Sequence, residues 1–108
     1  MYGKKDLSKI IEIILKHVND VEKIILFGSY ARNEERNDSD IDILILVRSP
    51  LNRNSKLEWL TKTRWDVAKL GYKADFVIKS VKDYNKDIKN PTFSKTISLE
   101  GKMLWEAS

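Results

Sequence analysis

Phe27-Gly28-Ser29-Tyr30-Ala31-Arg32 and, shortly after it, Ser39-Asp40-Ile41-Asp42 are the stretches of this 108-residue chain best equipped for chemistry. A glycine permits a sharp exit from a strand and a close approach of backbone to a ligand. Ser29 is placed as an N-cap for a first helical turn at 30–32. The free N–H groups and partial positive charge of such a turn suit phosphate oxygens. Asp40 and Asp42 are two residues apart, so on a strand they share a face at about 6–7 Å. Two carboxylates so placed repel unless a cation lies between them. Hard oxygen ligands suit Mg²⁺, with Mn²⁺ as the alternative. A Gly-Ser turn alone is commonly an ordinary turn, and a lone Asp-x-Asp a polar strand edge. Together, with Ile43, Leu44, Ile45, Leu46 and Val47 carrying the second stretch into a core, they point to a nucleoside triphosphate.

Three strands must position these groups. Lys23-Ile24-Ile25-Leu26-Phe27 is a short apolar run, rich in β-branched residues, that stops at Gly28. The run 40–47 is a second strand. A third, 73–78, follows a Gly71-Tyr72 turn and contains one acid, Asp75. If it lies beside the second strand, Asp75 completes a three-carboxylate cluster. Two acids could then hold metal, and the third accept a proton from an attacking hydroxyl. On another arrangement Asp75 is simply a solvated residue on a sheet face.

The rest reads as scaffold. Asp6 is placed to cap a helix reaching about residue 18, with Leu7, Ile10, Ile11, Ile14 and Val18 on its buried face. His17, the only histidine, falls off that stripe; it is expected exposed and is rejected as ligand or base. A helix is expected over 54–70, with Ser55 and Glu58 spaced as a capping box and Leu57, Leu60 and Val67 as its apolar stripe. Its Lys56, Lys62, Arg64 and Lys69 read as a solvated face, with RNA or an acidic partner as the alternative. Ser80 and Asp83 suggest another capped helix, containing Tyr84 and Ile88. Short helix is expected over 91–100 up to Gly101, then a last strand over 102–105. Trp59, Trp65 and Trp105 are read as core or partner-facing.

The net charge is +4, 42% of residues are hydrophobic, and cysteine is absent. One small core can form at this length, without room for a separate substrate domain. Disulfides and thiolate metal sites are excluded. No stretch approaches the roughly 20 apolar residues of a membrane span. No signal peptide opens the chain, so a cytoplasmic location is expected.

Gly28-Ser29 followed by Asp40-x-Asp42 resembles the signature of the nucleotidyltransferase superfamily to which DNA polymerase beta belongs. The fuller Gly-Ser-Tyr-Ala-Arg and Ser-Asp-Ile-Asp pattern is similar to that of its minimal bacterial and archaeal members, often encoded beside a HEPN-domain protein as antitoxin and toxin. The resemblance is specific over 24–47 and looser through Asp75 and Leu99-Glu100-Gly101-Lys102-Met103-Leu104-Trp105. Asn33 stands where the family often has glycine; asparagine tolerates left-handed backbone well. The resemblance implies one minimal nucleotidyltransferase domain over 1–108, an α+β (α/β-like) fold with a small mixed β-sheet flanked by helices. It implies Mg²⁺ at Asp40, Asp42 and Asp75, ATP phosphates near Gly28 and Ser29, and Arg32 supporting the loop or the phosphates. The leading expectation is AMP transfer from ATP to a tyrosine of a HEPN partner. A non-catalytic antitoxin acting by binding, and transfer to RNA or a small molecule such as an aminoglycoside, stay open beside it.

Overall fold

Alternation and capping explain most of the architecture. The computed structural model describes residues 3–32, 40–89, 97 and 99–107. Helix α1 (Lys4–His17) leads into strands β1 (Val21–Phe27) and β2 (Ile41–Val47). Helix α2 (Arg53–Lys69), strand β3 (Ala74–Ser80), helix α3 (Val81–Asp87) and strand β4 (Lys102–Glu106) follow. The strands form one mixed sheet in the order β3-β2-β1-β4. β1 is antiparallel to β2 and β4, whereas β2 and β3 run parallel through the α2 crossover.

The sheet is covered on both faces. Ile41, Ile43, Ile45 and Val47 of β2 meet Ile10, Ile14, Leu60 and Val67 of α1 and α2. The intervening Leu44 and Leu46 pack with Ile25, Tyr84 and Ile97 on the other face. This two-sided burial is why β2 reads as a continuous aliphatic run. Asp42 lies on the second face, ahead of Leu44, by the same alternation.

Several local expectations are corrected. Asp6 is not the cap of α1: Gly3 is, and Asp6 in the first turn accepts the Gly3 N–H at 2.8 Å. The α2 cap is Asn52, whose Oδ1 accepts from the Ser55 N–H at 2.8 Å, so the Ser55–Glu58 box is not used. Asn52 wins because its short amide reaches the N–H three residues on. Leu57 is half exposed, and the α2 core face is instead Leu60, Thr63 and Val67. His17 is not exposed: its Nε2 lies 2.6 Å from Asp66 Oδ2, with 15% of the side chain accessible. Ser80 caps α3 as expected, its Oγ accepting the Asp83 N–H at 3.2 Å. Of the helix expected over 91–100, residues 97, 99 and 100 are helical and the others lie outside the described residues. Among the described residues, no helix is long and apolar enough to cross a membrane.

Candidate active site

The two acidic strands meet in register. Asp42 of β2 pairs directly with Asp75 of β3. Because Ile41, Ile43 and Phe76 occupy the α1–α2 face, pleating turns both carboxylates to the opposite face. There they line a cleft of about 370 Å³. Phe27, Val77 and Ile97 form its apolar wall, and Arg32 and Glu100 its charged rim.

Strand pairing also brings the turn to the acids. Phe27 is the partner of Asp42 across β1 and β2, so the chain leaves β1 directly beside that carboxylate. Gly28 makes this exit with φ +75°, and a Cβ on it would lie 2.3 Å from Asp42 Oδ2. Neither the conformation nor the contact leaves room for another residue. The Arg32 N–H donates to the Gly28 carbonyl at 3.2 Å. This bond closes a turn over residues 29–32, and among the described residues no helix follows it, so the N-cap expected at Ser29 is not observed. Ser29 instead stands inside the turn. Residues 33–39, including Asn33 and Ser39, lie outside the described residues.

Asp42 is half-buried, and its carboxyl is held above its ordinary value. Burial is the main cause, followed by the negative charges of Asp75 and Asp40; the Arg32 guanidinium opposes them. Asp40, exposed just before β2, thus acts on Asp42 through its charge. Among the described residues no three His, Cys, Asp or Glu side chains form a ready-made metal cage. An adjacent Asp42–Asp75 pair with surplus negative charge nevertheless suits Mg²⁺. That ion is commonly held by one or two carboxylates, with water and substrate phosphate completing its shell.

Arg32 Nη1 lies 3.5 Å from Glu100 Oε2, both side chains being more than 40% accessible. At such exposure the pair adds little stability; what it does is hold the guanidinium over the cleft. Glu100, Val77 and Ile97 were not picked out from sequence as site residues, and Phe27 only as the strand end before Gly28. Their signal was the glycine after Glu100: Gly101 sits so close to β1 that a Cβ would meet Ile25 Cγ2 at 2.6 Å. Only a residue without a side chain at 101 lets Ile97 lie so close to β1.

The sequence model of the family described as Polymerase beta, Nucleotidyltransferase matches residues 8–108. A relative from Methanocaldococcus jannaschii, named a protein adenylyltransferase, is 37% identical over 99 residues, covering 86% of this chain and 92% of its own. Among solved structures, a chain of a toxin–antitoxin complex with AMP-PNP superposes with TM-score 0.65 and 24% identity. That match covers 94% of this chain and 74% of the other. A complex of tri-AMPylated Shewanella oneidensis HEPN toxin with MNT antitoxin gives TM-score 0.60 at 23% identity, over 96% and 72%.

Proposed function

Because the chain belongs to the polymerase beta nucleotidyltransferase family, we propose that it transfers AMP from ATP to a tyrosine hydroxyl of a HEPN-domain partner, as the antitoxin of a toxin–antitoxin pair. The observation that carries this reading is the Asp42–Asp75 pair, in register beneath the Gly28 turn. Relatives bearing the name protein adenylyltransferase support the reaction class. Structural neighbours that pair an MNT antitoxin with an AMPylated HEPN toxin support the partner.

The roles follow from position. The Gly28–Arg32 turn receives the triphosphate on its N–H groups, with the Ser29 hydroxyl beside them. Arg32 exchanges Glu100 for a phosphate oxygen, a stronger charge-assisted contact when desolvated. Phe27, Val77 and Ile97 exclude water from one side of the cleft. Asp40, Asp42 and Asp75 would hold Mg²⁺, or Mn²⁺ in its place, which would supply positive charge to the phosphates. The acceptor oxygen bonds to the α-phosphorus as the bridge to the β-phosphate breaks. Its proton goes to the Asp75 carboxylate, and pyrophosphate leaves from the helical turn. The reaction is set in the cytoplasm, the compartment that supplies ATP.

The test is to incubate the purified protein, Mg²⁺ and ATP labelled at the α-phosphate with lysate of the source organism. Label on a discrete protein band, absent with the Asp42→Asn variant, is the expected result. Label confined to RNA would replace the protein acceptor. No label, with a stable co-purifying partner, would favour inhibition by binding alone.

A further inference from the structure

We propose that the far end of the sheet carries a groove for the phosphate backbone of a nucleic acid. β2 and β3 run on from Asp42 and Asp75 to Val47 and Ser80, themselves register partners. At about 3.3 Å per residue this end lies some 17 Å from the carboxylate pair. Two adjoining cavities open there, of about 670 and 470 Å³, sharing Leu51, Ser80, Asp83 and Lys86.

Their charge is one-sided. Arg48 pairs with Glu22 at 2.9 Å and Lys79 with Asp87 at 2.5 Å. The side chains of Arg53, Lys56, Lys82 and Lys86 have no ion-pair or hydrogen-bond partner among the described residues. Asp83 is the one acid of these linings not engaged with a lysine. Most of the chain's net charge of +4 is thus gathered in one groove. The four cations come from separate segments, the start of α2 and the α3 helix, so folding concentrates like charge that repels itself. The α2 N-terminus adds partial positive charge to the same wall, with no acid in its first turn to offset it.

The lining also indicates which polyanion fits. Its apolar members are Pro50, Leu51 and Ile78, with no aromatic ring among the described residues for bases to stack on. Nor is there a hydrophobic centre of the kind that anchors a folded protein partner. Long cations around an open groove suit contacts to phosphate, which fix position without reading sequence.

The test needs neither ATP nor metal, so it stands or falls apart from the transfer reaction. Binding of a fluorescein-labelled oligouridylate to the full chain is followed by anisotropy across a salt series. The expected slope of log K against log salt is about −0.7 per phosphate neutralised, or about −3 for four contacts. The Lys82→Ala/Lys86→Ala variant should bind about tenfold more weakly, with a slope shallower by about 1.4. Lys62→Ala/Lys69→Ala removes the same charge from exposed positions elsewhere on α2 and should bind as the parent does. Circular dichroism checks that each variant keeps its fold. Equal weakening by both variants, or no weakening by the first, would overturn the proposal. Competition by a polyglutamate peptide as effective as that of unlabelled RNA would also overturn it, in favour of an acidic polypeptide.

Discussion

Gly28 and Asp42 interlock: the Asp42 carboxylate fills the space that a side chain on Gly28 would need, its Oδ2 lying 2.3 Å from where a Cβ would stand. The Gly28 turn and the acidic strand are therefore one structural unit. A change at either residue should be felt at both.

Gly28→Ala tests that unit. A left-handed backbone at φ +75° costs a residue with a Cβ about 1–2 kcal/mol, and the added methyl must displace Asp42 or the turn. Thermal melting should show a destabilisation of at least that size, and isothermal titration a loss of ATP affinity. Unchanged melting together with unchanged ATP binding would mean the turn and the carboxylate are independent.

Asp42→Asn should separate stability from activity. The folded carboxyl is raised above its unfolded value, so ionisation favours the unfolded chain. The wild-type protein accordingly gains stability as pH falls through the folded-state value towards 3.8. The variant lacks the half-buried charge and should melt at the same or a higher temperature at neutral pH. AMP transfer should drop to background. A variant that melts much lower would show that the carboxylate supports the fold.

Arg32→Ala should act twice. Losing a charge-assisted contact to phosphate raises KM for ATP by about tenfold or more. Removing the charge that opposes Asp75 and Asp40 lifts the Asp42 carboxyl further. The acid limb of the pH–rate profile therefore moves to higher pH. A limb that stays in place would mean that it reports another group.

Acid stability is set elsewhere in the molecule. Asp6 is held below its ordinary value of 3.8, first by the Gly3 N–H and then by the Tyr72 hydroxyl at 2.7 Å. Asp66 is held below the same value, chiefly by its hydrogen bond with His17. A lowered folded value means stability present above pH 3.8 and lost as pH falls through the folded value. Tyr72→Phe removes one partner and should shift the acid-unfolding midpoint upward, as followed by circular dichroism.

The face of the acidic strand was legible because it depends on local pattern, whereas the place of β3 beside it was one of two arrangements left open. Pleating alone sets Asp42 on one face and Ile43 on the other, and the Asp-x-Asp spacing carries that directly. Cap positions were harder, since Gly3 with Asp6 and Asn52 with Ser55 satisfy the same orphan N–H groups as the residues expected to do so. His17–Asp66 and Arg32–Glu100 join residues 49 and 68 positions apart, and no periodicity within either helix reports such a contact. The basic groove escaped notice similarly. Lys56 was grouped with its helix neighbours, whereas folding groups it with Lys82 and Lys86.

The most direct measurement is intact-mass spectrometry of a HEPN-domain partner after incubation with this protein, ATP and Mg²⁺. A mass increase of whole AMP units on a tyrosine is predicted with the wild-type chain, and none with Asp42→Asn or Asp75→Asn. Equal modification by either variant, or an added phosphoryl group in place of AMP, would contradict the assignment of this carboxylate pair to adenylyl transfer.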